Sequence, residues 1–208
     1  MRIPLLIVTP LFVGAMLVHR AGLPAFGSQA GAGDECGCTD DPPFVRNPIP
    51  TAPQPGDLAT ITRDLSADCV SAAIASRKLG MLANPASVGP LIHALHHKSC
   101  RVRDAAAQSL GELKDHHAVA PLILALGDAD PRVRADAAWS LASVPDTAAT
   151  RPLLAALADR NKHVRQGAAT ALGSVGDARA AGALTRALRD PEKHVREAAA
   201  ESLGKLRR

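Results

Sequence analysis

Four cysteines are the residues best suited to covalent chemistry. Cys36 and Cys38 form a CxC pair, and Cys69 and Cys100 follow further along the chain. An even number of cysteines in an exported protein favours disulfides. Buried free thiols and a metal site are the alternatives, although zinc sites usually place at least two residues between paired cysteines. We therefore predict disulfides that join the CxC pair to Cys69 and Cys100.

Two pairs of adjacent histidines are the next candidates for chemistry. His96-His97 and His116-His117 would lie at opposite ends of one helix, about 18 Å apart at 1.5 Å per residue. This separation prevents them from forming one metal site. The sequence shows neither a Ser/His/Asp or Cys/His constellation nor a glycine-rich phosphate loop after a strand. We predict no catalytic residue, no metal and no cofactor.

One tryptophan and one series of basic residues could bind a partner. Trp139 is the only tryptophan, and an exposed aromatic side chain is a candidate hot spot for binding. A tryptophan that folds down onto small neighbours is the alternative. The basic series could attract phosphate or an acidic partner, and a solvated helix face is the ordinary interpretation. Its members are Arg101, Arg132, His163 and His194.

These residues belong to units that repeat every 31 residues. Leucines recur at 91, 122, 153 and 184, and Val-Arg pairs recur at 102, 133, 164 and 195. Such a period with helical spacing inside each unit predicts stacked helix pairs. Ser99, Asp130 and Asn161 are expected to cap the second helix of each pair, helix B. Pro121 and Pro152 would lie inside the first helix, helix A, and kink it.

The repeats predict an all-α fold, a solenoid of stacked antiparallel helix pairs over residues 57–208. It would contain about four full repeats and one degenerate N-terminal repeat, residues 57–87, in which Ser71 and Ala72 replace the Val-Arg pair. Hydrophobic residues make up 47% of the chain but aromatic residues only 2%. An Ala/Leu-rich core favours helices and disfavours β-sandwiches and barrels.

The first 56 residues have a different composition. Arg2 precedes the uncharged apolar run 3–18, and Ser28-Gln29-Ala30 could be a cleavage site. This pattern predicts that residues 1–30 are a signal peptide or an N-terminal anchor. Residues 31–56 contain the CxC pair and six prolines, which indicates a linker or a disordered tail. We expect an exported protein, periplasmic or extracellular, associated with a membrane only through residues 3–18 if these are not cleaved.

The charge is mildly basic. The net charge is +4, which is low for a dedicated nucleic-acid-binding protein. Export also argues against a nucleic-acid partner.

The segments VRDAAAQSLGEL, VRADAAWSLASV, VRQGAATALGSVGD and VREAAAESLGKL resemble HEAT repeats, in particular the phycobilisome-lyase HEAT-like class. The resemblance is good over residues 88–208 and weak over 57–87. It implies an interaction scaffold, because most proteins of this class bind other proteins. Lyases that attach bilin chromophores and iron-dependent hydroxylases are minorities.

The resemblance also implies roles for particular residues. An Asp before helix B would pair with the Arg that follows the Val, which leaves Arg103 without a partner because His97 replaces the Asp. These structural pairs would be Asp128–Arg134, Asp159–Arg165 and Asp190–Arg196. Helix B would line the concave face, with a partner-binding surface of Gln108, Arg132, Asp136, Trp139, His163, Thr170, His194 and Glu201.

These observations predict an exported scaffold that binds another protein on the concave face. A lyase-like or metal-dependent enzyme on the same fold is the alternative. Neither a nucleic acid nor a small-molecule substrate is expected.

Overall fold

The computed structural model describes residues 55–207, and the secondary structure of this range is entirely helical. Five helix pairs follow one another, which confirms the predicted solenoid of four full repeats and one degenerate N-terminal repeat. The A helices are α1 (Leu58–Asp64), α3 (Val88–Ala94), α5 (Val119–Ala125), α7 (Thr150–Ala156) and α9 (Ala181–Ala187). The B helices are α2 (Cys69–Met81), α4 (Cys100–Leu113), α6 (Pro131–Ser143), α8 (Lys162–Val175) and α10 (Lys193–Leu206).

The core is built from the repeating leucines, valines and alanines. Each A helix packs on its own B helix, and the B helices pack side by side in chain order. Fully buried leucines form one row on the A helices and one row on the B helices: Leu91, Leu122, Leu153 and Leu184, and Leu79, Leu110, Leu141 and Leu172. Each buried leucine contributes about 1.5–3 kcal/mol of transfer free energy, so this repeated stripe stabilises every repeat in the same way.

The predicted proline kinks are absent. Pro121 is the third residue of α5 and Pro152 the third of α7, each directly after a short 3-10 turn. The first amides of an α-helix have no acceptor within the helix, so a proline in the first turn breaks no hydrogen bond there. The side chains of Asp115 and Asp146 instead cap the 3-10 turns, accepting from the backbone N–H groups of His117 and Ala148.

Adjacent B helices approach closely through glycine and serine. A Cβ atom built on Gly111 would lie 2.4 Å from the Ser140 hydroxyl oxygen, and this hydroxyl donates to the Ala107 carbonyl oxygen at 2.8 Å. The same arrangement occurs at Gly80 with Ser109 and at Gly173 with Ser202. Small residues at these points therefore set the spacing between repeats.

The two described cysteines begin B helices. Cys69 is the first residue of α2 and Cys100 the first of α4, and both are disulfide-bonded. The predicted bonds to Cys36 and Cys38 stay a prediction, because these two residues lie outside the described range. The signal peptide or anchor (1–30) and nearly all of the linker (31–56) also lie outside it. Among residues 55–207, no helix has the length and apolar character needed to cross a bilayer.

Candidate partner-binding site

The outward side chains of the five B helices form one continuous surface, which we call the B face. The B helices lie closer to one another than the A helices do, since α4, α6 and α8 contact their neighbours extensively. A row of closely spaced helices lies on the inner side of a curved array. The B face is therefore the surface on which the partner-binding residues were predicted.

Trp139 lies in the middle of the B face on α6. Its side chain is 38% exposed. A Cβ atom on Gly167 of α8 would be 3.3 Å from the indole atoms Cδ1 and Nε1, so the missing side chain leaves room for the ring. Trp139 thus rests partly on α8 and presents the rest of its indole to solvent.

Two cavities flank the indole, and both have Trp139 and Asp136 in their walls. One has a volume of about 400 Å³ and extends along α4 to Gln108 and Glu112. The other has a volume of about 310 Å³ and includes Asp104, Arg132 and His163. We call these two cavities together the Trp139 groove.

Asp136 is paired with a second carboxyl group. Its half-buried side chain is hydrogen-bonded to Asp104 of α4, and the positive charge of Arg77 on α2, two repeats earlier, also acts on it. Burial, followed by this hydrogen bond, raises the pKa of Asp136 to about 8. Ionising Asp136 would place two negative carboxylates in contact, so its protonated form is favoured at neutral pH.

The basic series is partly neutralised. Arg132 donates to the Asp130 carboxylate at 3.1 Å and to the Cys100 sulfur at 3.3 Å. His194 Nδ1 lies 3.3 Å from the Glu197 carboxylate. The series therefore does not form a simple row of free positive charge, and only Arg132 and His163 of it line the groove.

The structure brings together five of the eight predicted binding residues: Gln108, Arg132, Asp136, Trp139 and His163. Thr170 on α8, and His194 and Glu201 on α10, lie outside the groove. Glu201 forms an ion pair of 2.9 Å with Lys205. That these residues bind a partner stays a prediction.

Sequence reasoning missed the roles of Arg77 and Asp104. Asp104 and Asp136 are 32 residues apart, so they do not occupy equivalent positions of the 31-residue repeat and the repeat pattern does not pair them. Contacts between adjacent B helices in fact join residues separated by 28–29 or 32–33, as Gly111 with Ser140 and Ser109 with Ser76 show. The side-chain ridges interdigitate, so equivalent residues in neighbouring repeats do not contact each other.

The Asp–Arg pairs are real but their register was predicted wrongly. Arg103, Arg134 and Arg165 each bind the Asp of the following repeat through two hydrogen bonds. The distances are 2.7 and 2.8 Å for Arg103–Asp128, 2.8 and 3.1 Å for Arg134–Asp159, and 2.7 and 2.9 Å for Arg165–Asp190. The expectation that Arg103 lacks a partner is therefore wrong.

The Asp of the same repeat contributes its backbone instead. Arg134 Nη1 donates to the Asp128 carbonyl oxygen at 2.9 Å, and Arg196 Nη1 donates to the Asp190 carbonyl oxygen at 2.7 Å. The Asp190 carboxylate binds Arg165, which lowers the pKa of Asp190. These pairs join each of the four full repeats to the next.

His97 takes over one task of the missing aspartate. In the later repeats a carboxylate accepts from a backbone N–H two residues ahead, as Asp128 does from Asp130 at 2.8 Å. His97 Nδ1 accepts from the Ser99 N–H at 3.0 Å. Burial and the nearby charges of Lys98 and Arg103 lower the pKa of His97, which keeps this nitrogen free to accept.

No group of three or more His, Cys, Asp or Glu side chains within residues 55–207 is placed to hold a metal ion.

Comparison with known proteins identifies the family to which the chain belongs. A family model for HEAT repeats matches residues 58–142 and 119–204. The chain belongs to the HEAT repeat family.

Solved structures show the same fold. The complex of CpcE and CpcF of phycocyanin lyase from Nostoc sp. PCC7120 matches with 28% identity and a TM-score of 0.67, over 79% of this chain and 70% of that chain. A designed armadillo repeat protein in complex with peptide (KR)4 matches with 19% identity and a TM-score of 0.56, over 73% and 82% of the two chains. No curated protein matches the chain.

Proposed function

We propose that this HEAT repeat chain is an exported scaffold that binds another protein in the Trp139 groove. The observation that carries the proposal is the position of Trp139, an indole partly exposed between two cavities and seated on a glycine of the next repeat. A rigid aromatic side chain beside a concave surface is the usual anchor of a protein interface.

The similar structures support a protein partner. Phycocyanin lyase is a complex of two chains, and the designed armadillo repeat protein holds a peptide. A stacked array suits this role because its rigid helices hold side chains of several repeats in one fixed surface.

Export is part of the proposal. It is supported by the charged, apolar and small-residue segments of residues 1–30. The disulfide-bonded state of Cys69 and Cys100 also suits an oxidising compartment.

The proposal includes no catalytic step. A lyase-like activity is the second candidate, favoured by the similarity to phycocyanin lyase. Incubating the purified protein with a free bilin separates the two: a scaffold leaves the bilin absorption spectrum unchanged, whereas a lyase-like protein shifts it and passes the bilin to an acceptor protein.

Cross-linking in the native cell envelope tests the scaffold function. The wild-type chain is compared with Trp139→Ala and with Leu124→Ala, a matched control that removes another exposed apolar side chain, 72% exposed, from helix A. We expect one protein to be captured by the wild type and by Leu124→Ala and lost with Trp139→Ala. Equal capture by all three chains would refute binding at the groove.

A further inference from the structure

Resting on the proposed function, we propose further that the Trp139 groove binds a Lys or Arg side chain of a basic partner segment, and that the carboxyl groups of Asp104 and Asp136 hold this cation beside the indole. The occupant is therefore an extended basic segment of the partner protein, recognised by one aromatic ring and a pair of carboxyl groups.

The shape of the groove suits an extended segment. Its two cavities share Trp139 and Asp136 as lining residues and together extend from Glu112 on α4 to His163 at the start of α8. A flexible side chain that enters either cavity passes the exposed part of Trp139. A guanidinium or ammonium group attracts the face of an indole by about 0.5–2 kcal/mol.

The carboxyl groups of the groove, when ionised, would leave one negative charge that a cation from the partner could compensate. Asp104 and Asp136 are in contact, and the guanidinium of Arg77 is the positive charge that lowers the pKa of Asp136. If both carboxyl groups were ionised, these three side chains would carry a net charge of −1. A cation from the partner compensates this charge, whereas without one the pair retains a proton.

The proton supports this assignment. Asp136 has a pKa of about 8 because it is buried and hydrogen-bonded to Asp104. An entering cation favours the ionised form, so the O–H bond of Asp136 breaks and the proton passes to solvent. Binding and deprotonation are then linked, and each strengthens the other.

The other charged groups around the groove do not supply this cation. Arg132 is 3.1 Å from the carboxylate of Asp130. His163 lines the cavity beside Asp104 at the start of α8. Glu112 and Lys114 line the neighbouring cavity, where Glu112 accepts a hydrogen bond of 3.3 Å from Gln108.

The fluorescence of Trp139 provides a direct test, because it is the only tryptophan of the chain. The full chain is titrated at pH 7 with a capped peptide of five Gly-Lys units, and separately with one of five Gly-Glu units. We expect a saturable change in fluorescence with the basic peptide only. Binding of both peptides with equal affinity, or of neither, would overturn the inference.

Variants and pH locate the cation. Asp136→Asn should weaken binding of the basic peptide at least tenfold, whereas Asp64→Asn, a matched charge removal on α1, should not change it. Wild-type affinity should rise about tenfold per pH unit between pH 6 and 7, because one proton leaves for each peptide bound. Calorimetry in two buffers of different ionisation enthalpy should count that proton. An affinity independent of pH, or unaffected by Asp136→Asn, contradicts the inference.

Failure of this inference can be told apart from failure of the proposed function. If Trp139→Ala abolishes capture of the partner but the cross-linked partner segment is acidic or neutral, the scaffold function stands and the basic-segment inference falls. If the basic peptide binds with the expected pH dependence but Trp139→Ala does not affect capture, the groove binds a basic side chain as inferred. The proposal that the groove is the binding site of the captured protein then falls.

Discussion

The protonation state of Asp136 is determined by side chains from three successive repeats. Burial and the Asp104 carboxyl group raise its pKa, and Arg77 lowers it only in part. The protonated form of Asp136 is favoured in the folded chain, whereas in the unfolded chain this carboxyl group has the ordinary pKa of 3.8. The folded state therefore binds an extra proton between about pH 4 and pH 8.

Asp136→Asn should change the pH dependence of stability. A raised folded pKa contributes stability that is present below about pH 4 and is lost as the pH rises to about 8. Asparagine cannot ionise, so the variant does not lose this stability. Its melting temperature should therefore rise relative to that of the wild type between about pH 4 and pH 8, and the difference should stay constant above pH 8. Thermal unfolding from pH 4 to pH 9 measures it. Asp64→Asn is the control, and parallel curves for Asp136→Asn and wild type would contradict the prediction.

At the scale of single residues, the sequence predicts the exposure of Trp139 better than the charge state of Asp136. Trp139 stands out because its counterparts Gln108 and Thr170 are polar, and its indole is indeed exposed. The proton on Asp136 depends on burial and on a contact across 32 residues, neither of which is visible in the repeat pattern.

At the scale of helices, the contact between neighbouring B helices is governed by pairs of small residues. Glycine on one helix accommodates serine on the next at three interfaces. At the equivalent positions of α6 and α8, Ala142 and Ala171 occur together. The chain therefore contains two compatible pairs, Gly with Ser and Ala with Ala, repeated along one surface.

Gly111→Ala should destabilise the chain, and a second substitution should recover part of the lost stability. The new Cβ would lie 2.4 Å from the Ser140 hydroxyl oxygen and 2.8 Å from its Cα, and such overpacking costs about 1–3 kcal/mol. Adding Ser140→Ala removes the hydroxyl contact and recreates the Ala–Ala pair of α6 and α8. The 2.8 Å contact with the Cα of residue 140 remains, so the double variant should recover only part of the loss. Urea unfolding measures both variants.

Gly204→Ala is the matched control for this pair. No atom lies within 4 Å of the Cβ position at Gly204. The higher helix propensity of alanine, up to about 1 kcal/mol, should therefore stabilise this variant. A loss of stability in Gly204→Ala equal to that in Gly111→Ala would show that the helical glycines, rather than the contact, are responsible.

The helices themselves follow directly from the sequence, but their contacts do not. A period of 31 identifies equivalent residues, and the buried leucines and the aspartate caps are where it predicts them. The period cannot decide whether Arg134 binds Asp128 or Asp159, because each of these aspartates recurs at a fixed number of residues from the arginine in every repeat. The interdigitation of helix ridges decides this, and it selects the following repeat.

At the scale of the whole array, the Asp–Arg pairs link the four full repeats to one another in chain order. Arg165→Met removes two hydrogen bonds to Asp190 and two to backbone carbonyl oxygens. It leaves a largely buried carboxylate without its guanidinium, which costs about 3 kcal/mol. Arg196→Met removes only bonds to carbonyl oxygens, so it should cost about 1 kcal/mol. Equal losses in urea unfolding would show that the carboxylate pairs do not hold the repeats together.

The disulfides should connect the N-terminal segment to two adjacent repeats. We expect peptide mapping without reductant to show Cys36 and Cys38 linked to Cys69 and Cys100. Reduction should then lower the free energy of unfolding by about 2–4 kcal/mol per bond. A bond between Cys69 and Cys100, or an unchanged melting temperature after reduction, would contradict this prediction.

The direction of the Asp–Arg pairs has a consequence for how the array is assembled during synthesis. Each guanidinium is made 25 residues before the carboxylate that it binds, as for Arg103 and Asp128. A newly made repeat therefore stays incompletely fastened until the next one has emerged from the ribosome. Folding should proceed one repeat behind elongation, from the N-terminus onward. A stalled chain would expose its last arginine, rather than its last aspartate, to chaperones.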